Sequence, residues 1–299
     1  MSVQALREFI NRHNASAAGL NALAALLDSK AHATPITGAL AERIHELLGA
    51  LGGGDVLADL SADEARPFLA ELRAMHAIEA KLLHASTRVI GWNHTEAEIL
   101  QGIGDTSAGF IQPLATAVVP NLTGLAERLG APSATMLDVG VGVAGLAIAA
   151  ARKWPSMRVV GIDPWQPSLA LGRDNVARAG LAERIELREQ RAEDLQDEGA
   201  FDLAWVASNF MPASALEPAA KRILRALRPG GWMLFGATNT NLDGVAAAVW
   251  RLRMTLFGDG VPTSAAAETL LRDVGFGEVR ALPTPPGTFI CLVAARRNS

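Results

Sequence analysis

The most informative stretch of the chain runs Thr135-Met136-Leu137-Asp138-Val139-Gly140-Val141-Gly142-Val143-Ala144-Gly145. Its first five residues are mostly apolar and predict a short strand, Thr135–Val139, while Ala144–Lys153 has the spacing of a helix. The glycines between them permit backbone N–H groups and a helix N-terminus to approach a ligand closely, because a Cβ would collide with it. The stretch therefore predicts a strand, a ligand-binding turn and a helix.

Short strand-like runs and longer helical runs continue to alternate towards the C-terminus. Strands are predicted at Arg158–Ile162 and Phe201–Val206, with a helix over Gln166–Ala179 after the first of them, and the last strands lie near Glu278–Ala281 and Thr288–Ala295. Such alternation is typical of a doubly wound α/β domain with a mainly parallel sheet. Its ligand is expected at the carboxyl ends of the strands, where the strand order switches.

The first 130 residues have a different pattern, with apolar residues three and four apart and no convincing strand. Ser61 with Glu64 and Thr95 with Glu98 have the spacing of capping boxes, which mark helix starts. A third such pair, Ser214 with Glu217, lies in the α/β part. We therefore predict a helical cap or dimerisation domain over residues 1–130 and a ligand-binding α/β domain over 131–299.

Composition narrows the classes of function. The chain has 299 residues, and 27 Lys and Arg against 31 Asp and Glu give a net charge of −4, which argues against a nucleic-acid partner. The single cysteine, Cys291, excludes an intramolecular disulfide framework, and no metal site is predicted. With neither a membrane span nor a signal peptide in view, we expect a cytoplasmic protein.

The glycines by themselves leave two kinds of cofactor open. Gly140, Gly142 and Gly145 spell G-x-G-x-x-G, a weak dinucleotide signal. Asp163 ends the next predicted strand about twenty positions later, where a carboxylate can accept both hydroxyls of a ribose. An NAD-type cofactor and another adenosine cofactor are both served by that arrangement.

The residues resemble the class I S-adenosylmethionine (SAM)-dependent methyltransferases, whose motif is acid-x-Gly-x-Gly-x-Gly. This chain reads Asp138-x-Gly140-x-Gly142-x-Ala144, with Ala144 in place of the third glycine. Further motifs follow in the family's order at Gly161-Ile162-Asp163, at Gln190–Asp194 and at Leu227–Trp232. The resemblance implies a Rossmann-like, seven-stranded sheet, SAM as cofactor and S-adenosylhomocysteine (SAH) as product. The charge of Asp138 also favours the ammonium and sulfonium of SAM over a pyrophosphate.

The resemblance also implies roles for single residues. Asp138 would reach the methionine amino group, Asp163 the ribose, and Pro164 or Trp165 the adenine face, although Trp165 is also readable as a core or rim aromatic. Arg191 stands where the family has the acid that takes the adenine amino group, which leaves the backbone of Ala192 or Glu193 for that contact. The predicted cofactor contacts are Asp138, Gly140, Gly142, Asp163, Pro164, Trp165, Arg191, Ala192 and Ser208.

The acceptor side is less defined. The layout also resembles small-molecule O-methyltransferases with an N-terminal helical domain, in which a histidine follows the fifth strand, but this chain has no histidine after His94. His94 is the candidate catalytic residue, and the alternative is an exposed loop histidine. The predicted substrate contacts are Trp92, Asn93, Asn209, Phe210 and Arg253.

The leading hypothesis is a SAM-dependent methyltransferase acting at carbon, nitrogen or oxygen of a small organic molecule of secondary metabolism. It would work as a homodimer formed through its N-terminal helices. One alternative is an NAD(P)-dependent oxidoreductase that uses Gly140, Gly142 and Gly145. The other is a SAM-binding module without catalysis.

Overall fold

The computed structural model describes residues 3–298 except 55, 85–90, 243, 258–260 and 285–287. The chain divides into two compact units, Met1–His84 and Ala85–Ser299. The helices between residues 97 and 130 thus belong to the same unit as the sheet, whereas the sequence grouped them with the N-terminal helices. A functional cap over residues 1–130 stays a prediction.

The first unit consists of three helices, α1 (Val3–His32), α2 (Gly38–Ala50) and α3 (Ala62–His84). Leu27 of α1 is buried with Leu69 of α3, and Ile44 of α2 is buried in a second small cluster. The predicted capping box of α3 is confirmed, because the backbone N–H of Ser61 donates to Glu64 at 2.8 Å and the N–H of Glu64 donates to the Ser61 hydroxyl at 3.3 Å.

The N-terminal half of α1 exposes large apolar side chains. Val3 is 77% exposed and Phe9 58%, and Leu6 and Ile10 are exposed as well. Residues three and four apart lie on one side of a helix, so Val3, Leu6 and Ile10 form a continuous apolar stripe. A contiguous exposed apolar surface of this kind commonly marks a site at which another molecule binds.

The second unit opens with helices that precede the sheet. They are α4 (Ala97–Ala108), a short α5 (Ile111–Pro113) that continues through a π turn and a 3₁₀ turn to Asn121, and α6 (Leu125–Gly130). The predicted capping box of Thr95 with Glu98 is wrong. Glu96 occupies the N-cap position and makes no side-chain capping bond, because its carboxylate accepts a hydrogen bond from the Thr95 backbone N–H instead.

Seven strands form one sheet in the order β3-β2-β1-β4-β5-β7-β6. All neighbouring pairs are parallel except those of β7, which runs antiparallel to β5 and to β6. This arrangement confirms the predicted Rossmann-like, doubly wound, mainly parallel sheet. The strands are β1 (Thr135–Val139), β2 (Arg158–Asp163), β3 (Ile185–Glu189), β4 (Phe201–Val206), β5 (Leu227–Thr238), β6 (Glu278–Ala281) and β7 (Ile290–Arg296).

Five helices connect these strands: α7 (Gly145–Lys153), α8 (Gln166–Arg178), α9 (Ala213–Ala226), α10 (Gly244–Phe257) and α11 (Ser264–Val274). The predicted capping box of Ser214 with Glu217 is wrong, because α9 begins at Ala213 and Pro212 holds the N-cap position. Proline already fixes the backbone angle that a helix start requires, so the helix begins before the serine.

The sheet separates two layers of buried apolar side chains. One layer includes Met136, Leu169 and Trp232, and the other includes Leu137 and Phe235. Neighbouring residues of a strand point to opposite faces, so each central strand contributes to both layers. In the described part of the chain no helix combines the length and the apolarity needed to cross a bilayer.

Candidate active site

A cavity of about 200 Å³ lies in the second unit at the carboxyl ends of β1, β2 and β4. Strand order reverses direction between β1 and β4, so this is the switch point at which doubly wound sheets bind ligands. The structure brings ten of the predicted site residues together in its wall. They are Trp92, Asp138, Gly140, Gly142, Asp163, Pro164, Trp165, Arg191, Ala192 and Phe210.

The turn after β1 is left-handed at three alternate positions. Gly140 has φ +77°, Gly142 +55° and Ala144 +66°. The conformation is free of penalty for the two glycines, whereas for the fully buried Ala144 it carries strain of about 1 kcal/mol. Ala144 thus occupies the third glycine position of the motif with the backbone of a glycine.

Side chains and helices from elsewhere in the unit hold this turn. The backbone N–H of Gly142 donates to Asp163 Oδ2 at 2.9 Å, and Asn175 Nδ2 of α8 donates to the carbonyl of Val143 at 2.9 Å. A Cβ on Gly172 of α8 would lie 2.9 Å from the Gly142 carbonyl oxygen, so α8 approaches the turn as closely as its backbone allows. The turn is therefore fixed from several sides.

Gly145 serves helix packing. A Cβ at this position would lie 2.0 Å from the carbonyl oxygen of Gly104 in α4, and α4 and α7 are close neighbours. Gly145 is thus required for the contact between two helices, which is a structural reason for the third glycine of the G-x-G-x-x-G spelling. Because the third glycine of a dinucleotide fingerprint also serves packing, this contact does not choose between the two kinds of cofactor.

Asp138 is a buried carboxylate that faces the cavity. Its exposed fraction is 1%, and Oδ2 has no hydrogen-bond partner among the described residues. Burial raises the pKa of Asp138 to about 7, and the negative charge of Asp163 adds to the rise. An ionised carboxylate in such a place is stabilised by a cation or a strong hydrogen-bond donor. The site is therefore suited to a positively charged group.

The Asp163 carboxylate holds two loops of the cavity wall in place. Its Oδ1 accepts the backbone N–H of Trp165 at 2.8 Å, and Oδ2 accepts that of Gly142. Burial raises the pKa of Asp163, and these two hydrogen bonds oppose the rise. A carboxylate offers about four acceptor positions, so two remain for ligand hydroxyls.

The residues after β3 form the outer wall of the cavity. Arg191 Nε donates to Glu193 Oε1 at 2.8 Å, and both residues line the cavity with Ala192 between them. The arginine thus binds the carboxylate of Glu193, which lies two positions after the place where the family motif has its acid. Glu193 is available there as a hydrogen-bond acceptor.

An aromatic cluster forms the opposite wall. The Trp92 ring lies 4.7 Å from Phe210, 5.0 Å from His94 and 5.9 Å from Phe257, in each case edge to face. His94 is 4% exposed, with Nδ1 3.8 Å from Glu96 Oε2. The alternative of an exposed loop histidine is therefore wrong.

Four predicted contacts and His94 lie outside the described cavity lining. Ser208 is fully buried, and its hydroxyl donates to the Gly236 carbonyl at 2.6 Å, which joins the loop after β4 to β5. Arg253 lies with its guanidinium 5.6 Å from the Phe289 ring. Asn93 is exposed and Asn209 half-buried.

Sequence reasoning missed α4 as a wall of the site. Four of its residues line the cavity: Leu100, Ile103, Gly104 and Ser107. A signal was present, because Gly102 and Gly104 stand inside a helical pattern, where glycine is unfavourable and indicates a packing constraint.

Comparison with known proteins agrees with this geometry. Residues 136–231 match the family profile described as a methyltransferase domain. A probable fatty acid methyltransferase of Pseudomonas putida is 33% identical over 112 residues, which are 36% of this chain and 28% of that protein. The chain thus spans less than a third of the length of that curated relative.

Two solved structures match along the whole chain. An O-methyltransferase family protein of Burkholderia thailandensis has a TM-score of 0.65 and 16% identity, and the match covers 100% of this chain and 99% of that one. The structure described as PigF with SAH has a TM-score of 0.63 and 16% identity over 99% of both chains. At this identity the likeness shows a shared fold.

Proposed function

We propose that this protein transfers the methyl group of SAM to a small organic molecule, because residues 136–231 match the methyltransferase-domain profile and the cavity lies within the same fold. The curated relative and the Burkholderia thailandensis protein are methyltransferases by their descriptions, and the other structural neighbour is described with SAH. The acceptor atom of this chain is carbon, nitrogen or oxygen.

The observation that carries the proposal is the unpartnered Oδ2 of Asp138. SAM brings an ammonium and a sulfonium to the cavity, and either cation stabilises an ionised carboxylate that is cut off from water. The pyrophosphate of NAD would bring negative charge to the same place and raise the energy of the complex. Charge thus favours SAM over the dinucleotide.

The remaining cofactor groups have partners in the same wall. Asp163 has acceptor positions left for the ribose hydroxyls, and Gly140 and Gly142 leave room along the turn for the amino-acid part. Glu193, oriented by Arg191, accepts the adenine amino group beside Ala192, while Pro164 and Trp165 border the base. Ser208 acts indirectly by fixing the loop after β4.

SAM supplies an electrophilic methyl carbon, so the chain has to align the acceptor with it and keep water away. Trp92 and Phe210 form an apolar wall that does both. We assign to His94, buried against Trp92, the role of base for hydroxyl acceptors, which need proton removal. Asn93, Asn209 and Arg253 are proposed to contact the outer part of the acceptor.

We also propose a homodimer formed through the N-terminal helices. The exposed stripe of Val3, Leu6 and Ile10 on α1 supports it, because a second copy would cover this apolar surface. In this proposal residues 1–130 provide cap and dimer contacts and residues 131–299 bind SAM. We place the protein in the cytoplasm, in keeping with its single cysteine, and the net charge of −4 argues against nucleic acid as a partner.

Isothermal titration tests the cofactor. SAH should bind with a dissociation constant of about 1–100 μM, while NADH should not bind in the same range. In Asp138→Asn, SAH should bind at least about tenfold more weakly, whereas adenosine, which lacks the ammonium, should bind as to wild type. Asp163→Asn should weaken the binding of both SAH and adenosine.

Failure of the folded protein to bind SAH would refute the proposal. SAH binding with no transfer of labelled methyl to a panel of phenols, amines and enolisable carbon acids would instead favour the non-catalytic module.

A further inference from the structure

The side chain of Trp165 connects two parts of the cavity wall. Its indole Nε1–H donates to the main-chain carbonyl of His94 at 2.7 Å, across 71 positions of sequence. Indole has one hydrogen-bond donor, so this bond uses it entirely. The irregular segment 91–96, which carries Trp92 and His94, is thereby attached to the loop after β2.

On the cofactor side, Trp165 is bound to Asp163. The Trp165 backbone N–H donates to Asp163 Oδ1, and Asp163 Oδ2 accepts the N–H of Gly142 in the glycine turn. Asp163, Gly142 and Trp165 therefore form one hydrogen-bonded unit. A ligand whose hydroxyls bind the Asp163 carboxylate restrains this unit, and with it the main chain of Trp165.

On the acceptor side, the bond continues into ring contacts. The His94 ring contacts the edge of Trp92, and Trp92 contacts Phe210. Trp92 and Phe210 both line the cavity. The position of His94 thus affects the wall against which an acceptor would lie.

We propose that Trp165 is a positioning residue that transmits the occupancy of the ribose site to the aromatic wall, so that cofactor binding orders segment 91–96 before the acceptor enters. The proposal rests on the proposed function of the cavity. Its physical basis is linkage: a ligand that favours the hydrogen-bonded arrangement at Asp163 also favours the arrangement joined to it at His94.

Hydrogen exchange measures this coupling without any acceptor. In wild type, saturating SAH should slow amide exchange in segment 91–96 by about fivefold or more. Adenosine, which carries the ribose, should protect the same amides, whereas homocysteine should leave them unchanged. In Trp165→Phe, which keeps an aromatic ring and removes the indole donor, exchange is measured at an SAH concentration that saturates the variant, and protection of the segment should be lost.

The control is Trp154→Phe, which changes a tryptophan in the loop after α7 and should keep wild-type protection. The outcomes separate the two proposals. If SAH does not bind, the proposed function and this inference both fail. If SAH binds wild type without slowing exchange in segment 91–96, or protects it equally in Trp165→Phe, only the inference fails.

Discussion

The carbonyl oxygen of Gly104 lies 2.0 Å from the point where a Cβ of Gly145 would be. Helices α4 and α7 therefore meet backbone to backbone, which only glycine at position 145 permits. Since α7 begins directly after the glycine turn and α4 lines the cavity, this contact sets the width of the site.

Gly145→Ala should separate the two helices. Forcing a methyl group into a packed contact typically costs about 1–3 kcal/mol, so we expect a loss of that size in the free energy of unfolding and about tenfold weaker SAH binding. Urea unfolding and titration measure both effects. Gly130→Ala is the control, because a Cβ at Gly130 meets no atom within 4 Å. Equal stability of the two variants would contradict the prediction.

Asp138 should make stability depend on pH. Its pKa rises from about 4 in the unfolded chain to about 7 in the folded one. Between these values the folded protein holds a proton that the unfolded chain releases, so the free energy of unfolding falls as pH rises, by up to about 1.4 kcal/mol per pH unit. Asp138→Asn should remove this dependence in thermal melts of the ligand-free protein.

Ionisation of Asp138 lowers the stability of the ligand-free protein, but it should strengthen the binding of SAH. An ammonium binds the carboxylate and not the carboxylic acid, so SAH affinity should rise with pH up to about 7 and then level off. Titrations from pH 5 to pH 8 measure this. A pH-independent SAH affinity in wild type would show that Asp138 does not bind the ammonium.

His94→Asn should slow the methylation of hydroxyl acceptors more than that of amine acceptors. If the imidazole removes a proton, turnover of a phenol that wild type methylates should fall by about a hundredfold or more. Turnover of an aromatic amine, which attacks as the neutral base, should fall much less. Labelled methyl transfer measures both rates, and SAH titration checks that the cofactor site is intact. Equal losses for the two acceptors would assign His94 to packing.

Leu6→Glu with Ile10→Glu should dissociate the dimer. Two carboxylates on the α1 stripe would oppose burial of that surface. Light scattering at micromolar concentration should give twice 31.4 kDa for wild type and 31.4 kDa for the double variant. Leu40→Glu, at an exposed position of α2, should stay dimeric. A monomeric wild type would refute the proposed dimer.

Local patterns predicted much of the sheet. The bounds of β1 and β4 agree with the predicted ones, because each is a short apolar run that ends at a turn or a small residue. Strand β5 begins at Leu227, ahead of the apolar run that follows Gly231, since Phe201 of β4 pairs with Leu227 across the bulge before Leu203. Such pairing depends on the neighbouring strand and is not readable from β5 itself.

The parts of the site that belong to one local sequence motif could be predicted from the sequence. Asp138 and Gly140 are two positions apart in sequence and both line the cavity, whereas Gly104 meets Gly145 across 41 positions of sequence. The bond from Trp165 to His94 spans 71 positions. Contacts of this kind arise from the tertiary fold, so no local pattern shows them.

The left-handed conformation of Ala144 affects the shape of the glycine turn in the ligand-free protein. Alanine disfavours a φ of +66°, so Ala144 keeps this conformation only because the packing around the fully buried residue holds it. The empty turn is thus already close to its bound shape, and little disorder remains for a cofactor to remove. The conformational cost of the turn is thus met when the chain folds, and cofactor binding does not have to meet it again.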